Sequence, residues 1–161
     1  MTSSRMNRRK LLLVSGCLAA AALCSAPAAW AQAVFTGGTK GVAINGYDPV
    51  GYFNQGKAVA GDAGITHSWN GVEWRFASVA NRDAFAANPQ KFAPQYGGYC
   101  AYAAASGSLV KTDPDAFTIH QGKLYLNYDK PVKRRWDKKR GAFINQANAN
   151  WPRLEAEAAK R

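Results

Sequence analysis

The chain predicts an α+β fold, two β-hairpins with several short helices around an aromatic core. Three observations carry that reading. Apolar segments flank two tight pairs, Asn70-Gly71 and Gln121-Gly122, and the Asn-Gly pair supplies the positive φ angles of a two-residue hairpin turn. Each hairpin precedes a helix-capping residue, Ser78 or Asp129, whose side-chain oxygen accepts an orphan N–H of the first helical turn. Aromatic residues make up 12% of the 161 positions, enough to build a core without disulfide staples.

Taken in order, residues 32–43 read as a polar linker punctuated by Gly37-Gly38 and Gly41. From Ile44, turn formers alternate with aromatics, which predicts a turn at Asn45-Gly46 and a short strand over 50–53. Gly56, Gly61 and Gly64 mark a surface loop. Residues 66–69 and 72–76 form the first hairpin, with Val72, Trp74 and Phe76 on one face. Ser78 caps a helix over 79–87, and residues 90–93 add a turn closed by Pro94. Residues 99–106 are alanine-rich and run into Gly107, a C-cap glycine. Cys100 then falls in the first turn of that helix.

Residues 106–115 read as a loop, and 117–119 with 123–127 as the second hairpin. Asp129 caps a helix with Pro131 near its start, where the missing N–H costs little. Gly141 breaks it, 142–151 form a further short helix, and 152–161 are a charged tail. The expected core is Tyr52, Phe53, Trp69, Trp74, Phe76, Phe85, Phe92, Tyr99, Tyr125 and Trp136. A faint echo recurs at an offset of 51: Gly71 with Gly122, Trp74 with Tyr125, Ser78 with Asp129, Phe85 with Trp136. An old duplication and the recurrence of a common β-β-α unit both account for it.

Residues 1–31 read as an export leader. Arg5, Arg8, Arg9 and Lys10 precede an apolar run over 11–23, and Ala29-Trp30-Ala31 is an A-x-A cleavage signal. The Arg8-Arg9 pair resembles a twin-arginine signal. The expected location is therefore periplasmic or secreted, after cleavage near Ala31. Cleavage removes Cys17 and Cys24 and leaves Cys100 unpaired, which is unusual in an oxidising compartment. It also removes four of 21 basic residues and none of the ten acidic ones, so the net charge is 17 minus 10, or +7. Seven of the remaining basic residues lie between Lys130 and Arg140.

The stretches Gly46-Tyr47-Asp48-Pro49-Val50-Gly51-Tyr52-Phe53, Trp74-Arg75-Phe76-Ala77-Ser78, Asn81-Arg82-Asp83-Ala84-Phe85 and Asn88-Pro89-Gln90-Lys91-Phe92 belong together. With Tyr96-Gly97-Gly98-Tyr99-Cys100-Ala101 and Gly122-Lys123-Leu124-Tyr125-Leu126-Asn127-Tyr128, they resemble a YHS domain-containing protein of the small exported type. The likeness runs over residues 44–151. It implies a YHS-like domain with a treble-clef-like core and, for some members, a transition metal such as copper. Metal-binding members carry cysteines where this chain has Gly51 and Ala77, so the usual thiolates are absent. For the exported type the resemblance implies no established activity.

Cys100 is the sharpest candidate. A thiol in a helix's first turn feels the positive end of the dipole, and its thiolate suits soft ions such as copper or zinc. The alternative is a small buried hydrophobe between Tyr99 and Tyr102. His67 and His120 are the only imidazoles. If a metal binds, Cys100 with His67 is the first expectation and Asp48 a third ligand. Asp48 also fits a turn or cap, as do Asp113 and Asp115. The cations of 130–140 suit an anionic partner or membrane surface, or a solvated helix face anchored by Trp136. Nucleic acid is not an expected target of an exported chain. Three readings follow: a metal-binding module, a metal-free protein–protein interaction domain using the basic helix, and a thiol-dependent enzyme using Cys100.

Overall fold

The computed structural model describes residues 33–161; the expected leader lies outside them. Its order is α1 (Pro49–Gln55), β1 (Asp62–Trp69), β2 (Val72–Phe76), α2 (Val79–Ala87), α3 (Pro89–Phe92), α4 (Ala101–Ala105), β3 (Asp113–His120), β4 (Lys123–Asn127), α5 (Lys130–Lys138) and α6 (Arg140–Ala158). The strands form two separate antiparallel hairpins, β1–β2 and β3–β4. Their turns have positive φ at Asn70 and Gly71 and at Gln121 and Gly122, as a twisted two-residue connection requires. No described helix is long and apolar enough to cross a membrane.

The offset of 51 is structural as well as sequential. β1–β2 pairs Asp62 with Phe76 and Trp69 with Val72, while β3–β4 pairs Asp113 with Asn127 and His120 with Lys123. Both hairpins carry a register irregularity at the same place, between Asp62 and Thr66 and between Asp113 and Phe117. Asp62 Oδ1 accepts the Gly64 N–H, and Asp113 Oδ1 the Asp115 N–H. Ser78 and Asp129 cap the following helices by accepting from Asn81 and Val132. Upstream, with the offset grown to 52, left-handed turns at Ile44-Asn45-Gly46 and Tyr96-Gly97-Gly98 lead into α1 and α4. These two turns meet: a Cβ on Gly98 would lie 2.6 Å from the Ile44 Cγ2 methyl. The described residues thus contain one turn-helix-hairpin-helix arrangement twice.

Several expectations are corrected. Residues 50–53 form a helix, not a strand, because Asp48 caps the backbone N–H groups of Val50 and Gly51 and Pro49 occupies the first turn. The stretch expected as a linker is anchored at both ends, while residues 37–41 are exposed. Phe35 exchanges backbone bonds with Gly97 and Ile44, and Val42 and Ala43 are buried. Residues 152–158 of the expected charged tail belong to α6, which runs through Pro152 and buries Leu154 and Ala158 four residues apart on one face. Gly141 lies in the first turn of α6, and the break falls at Lys139.

Two apolar clusters form the core. One joins Tyr52, Trp74, Phe76, Phe85 and Phe92 to Leu124 and Leu126 of β4. The other joins Tyr96, Tyr125 and Trp136 to Ala104, Ala147 and Leu154. Phe53 and Trp69, expected inside, are only partly buried at the edge of the first.

Candidate functional site

Cys100 is 1% exposed and is the N-cap of α4, not a residue of its first turn. Its Sγ accepts the Ala103 N–H at 3.5 Å, and its thiol donates to Asn127 Oδ1 at 3.8 Å. Burial pushes the thiol pKa up, opposed by the N–H groups of Ala103, Tyr128 and Tyr102. A buried thiol with a raised pKa is a poor nucleophile and a poor metal ligand.

Asp48 holds the equivalent place in the first unit. Fully buried, it takes the Val50 and Gly51 N–H groups on Oδ1 (2.8 and 3.2 Å). Oδ2 takes the Ala77 N–H (2.9 Å) and Asn81 Nδ2 (2.6 Å). Val50, Gly51 and Ala77 answer to Tyr102, Ala103 and Tyr128 around Cys100. The second unit therefore seats a neutral sulfur in a cradle of N–H groups that holds a carboxylate in the first. Its carboxamide, Asn127, is fully buried, takes the Tyr102 N–H on Oδ1 at 3.2 Å and leaves Nδ2 unpartnered.

The residues expected to share a metal are dispersed. With all four oxygen bonds committed, Asp48 ties α1 to the end of β2 and to α2. His67, on β1, packs edge-on against Phe85 with ring centroids 6.1 Å apart. His120 Nδ1 accepts from Arg140 Nη1 at 3.2 Å. Among the described residues no three His, Cys, Asp or Glu side chains are grouped so as to hold a metal ion. Cys100, His67 and Asp48 are thus not one ligand set.

The basic helix divides into two faces. Inward, Trp136 is fully buried, and Asp137 binds Lys133 Nζ (2.6 Å) and Arg140 Nη2 (2.7 Å) while accepting from Thr118 (3.3 Å). Burial alone would raise the Asp137 carboxyl, but the bonds from Lys133 and Arg140 outweigh it and hold it below its ordinary range. Outward, Arg134, Arg135, Lys138 and Lys139 are exposed. No carboxylate pairs with them among the described residues. Their spacing places them along one stripe.

Sequence reasoning did not find a cleft of about 750 Å³ between the first left-handed turn and the second hairpin, lined by Phe35, Asn45, Lys111, Asp113, Tyr128 and Asp129 among others. Its one sequence signal was Tyr128, an aromatic just past a strand end. Comparison with family models, curated proteins and solved structures gives no match.

Proposed function

We propose that this protein is a non-enzymatic, exported interaction domain that docks an acidic protein surface through the outward face of α5. The observation that carries the reading is the contrast between the two units. Arg134, Arg135, Lys138 and Lys139 correspond to Asp83, Ala84, Ala87 and Asn88 at the offset of 51. The same unit folds around α2 with no cations on that face, so packing does not require the stripe. Four unpartnered cations in a row raise the local potential and steer an acidic partner into register. An interfacial membrane helix would add aromatic or long apolar residues to the exposed face. The only apolar residue exposed on α5 is Pro131, so a protein surface is the better match. The YHS resemblance is compatible with this reading but supplies no partner.

The test is a titration of the processed chain with a poly-glutamate peptide, and in parallel with phosphatidylglycerol and phosphatidylcholine vesicles. Peptide binding that weakens with salt, and disappears when Arg134, Arg135, Lys138 and Lys139 are all changed to Glu, supports the proposal. Circular dichroism of that variant confirms that it remains folded. Binding to phosphatidylglycerol alone would replace the protein partner with a membrane, and no binding to any probe would overturn the reading.

A further inference from the structure

We propose that the cleft over the second hairpin is a subsite for a sugar acid, a hydroxylated ring bearing one carboxylate. The inference does not rest on the α5 reading. Its volume, about 750 Å³, falls in the range of small-molecule pockets, roughly 300–1,000 Å³.

Comparison of the two units separates the groups that both use from those found only in the second. Asp113 and Asp129 have structural counterparts in Asp62 and Ser78, which make the same turn and cap bonds. Lys111 and Tyr128 do not; their counterparts are Ala60 and Ala77. The second unit therefore carries at the cleft an ammonium and an aromatic ring that the first lacks. Their one recorded contact is with each other, the Lys111 ammonium lying over one face of the Tyr128 ring. Lys111 is exposed and makes no ion pair among the described residues. Tyr128 is 43% exposed. The Lys111 Nζ lies 5.9 Å from the Tyr128 ring centroid, an exposed cation–π contact weak enough for a ligand to displace, so the two groups are near enough to meet the same ligand.

This pair calls for a flat-faced ring on Tyr128 and an anionic group on Lys111. The carboxylates decide what else the ligand carries. Asp113 and Asp129 each bind a backbone N–H through Oδ1 (2.9 and 2.6 Å). Their Oδ2 atoms have no protein partner among the described residues, so both are open to a ligand donor. A bare aromatic acid offers no donors to that wall. A sugar acid directs its carboxylate to Lys111 and its hydroxyls to Asp113 and Asp129.

The test follows backbone amide shifts by NMR while the processed chain is titrated with glucuronate, glucose and benzoate. The expected result is shifts confined to the cleft, with glucuronate binding roughly tenfold more tightly than glucose, the cost of one lost charge-assisted hydrogen bond. Lys111→Gln should remove that advantage and Tyr128→Ala should remove the response. Both side chains are exposed, so both variants should keep the dispersed spectrum of the parent. The α5 variant with four Glu substitutions should keep the glucuronate response, so the two proposals fail separately. Glucose matching glucuronate would overturn the role of Lys111. Benzoate binding without glucuronate would overturn the sugar, and an unmoved cleft would overturn the subsite.

Discussion

Asp48 and Cys100 set two chemistries in one backbone cradle, and the comparison yields a prediction at the scale of single residues. Replacing Cys100 by Ala removes the sulfur and leaves the Ala103 N–H without its acceptor. Replacing it by Asp supplies the group that the first unit carries there. If the Tyr102 N–H passes from Asn127 Oδ1 to the new carboxylate, a flip of the Asn127 amide would let Nδ2, now unpartnered, donate to it as Asn81 Nδ2 does to Asp48. Cys100→Asp should therefore be more stable than Cys100→Ala at neutral pH by about 1–2 kcal/mol. A carboxylate held by several N–H groups has a depressed pKa. The advantage is present above the unfolded carboxyl value and lost as pH falls through the folded one. Urea denaturation of both variants at neutral and acid pH checks the difference and its sign; an Asp variant no better than Ala would refute the equivalence. The sequence showed Cys100 beside a glycine pair and near an aromatic cluster, but not which N–H groups close around it. Those come from residues 102, 103 and 128, and the last meets the sulfur only after β4 folds back.

At the scale of elements, the hairpins and the helices after them were readable because their signals are local. Asn-Gly and the Ser and Asp caps act within three or four residues. The misreadings came where local and tertiary signals compete. The run at 50–53 has strand-like aromatics, yet the Asp48 cap and Pro49 make it a helix. Pro152 suggested a stop, but α6 continues because Leu154 packs beneath α4 and Asn150 Nδ2 bonds the Ala104 and Ala105 carbonyls. Within α5, Asp137 locks the inward face. Its folded pKa is lowered, so its contribution is full above the unfolded carboxyl value and lost as pH drops through the folded one. Asp137→Asn should lower the thermal midpoint at neutral pH, and the gap from the parent should close as the pH falls below about 4. A gap that stays constant with pH would assign the effect to packing instead of charge.

Across the whole molecule, the two units are alike in backbone but not independent in their cores. Leu124 and Leu126 belong to the second hairpin, yet they pack with Tyr52, Trp74 and Phe85 of the first unit. Phe117 of β3 packs against Tyr52, the rings tilted by 58° with centroids 4.8 Å apart. The repeat was faintly visible in sequence because its shared residues are turns and caps, which fix geometry. The core residues that differ between copies, such as Phe85 and Trp136, fill spaces of different shape. A duplicated domain with separate cores would unfold in two steps, whereas interleaved cores make one cooperative unit. Leu124→Ala, fully buried in the second hairpin, should cost about 2–5 kcal/mol and leave a single transition. Its most informative consequence is distant. Hydrogen exchange at β1 and β2 should quicken as much as at β3 and β4, since the slowest amides of both open only in global unfolding. Protection kept in the first hairpin while the second loses it would show that the copies still fold as two domains.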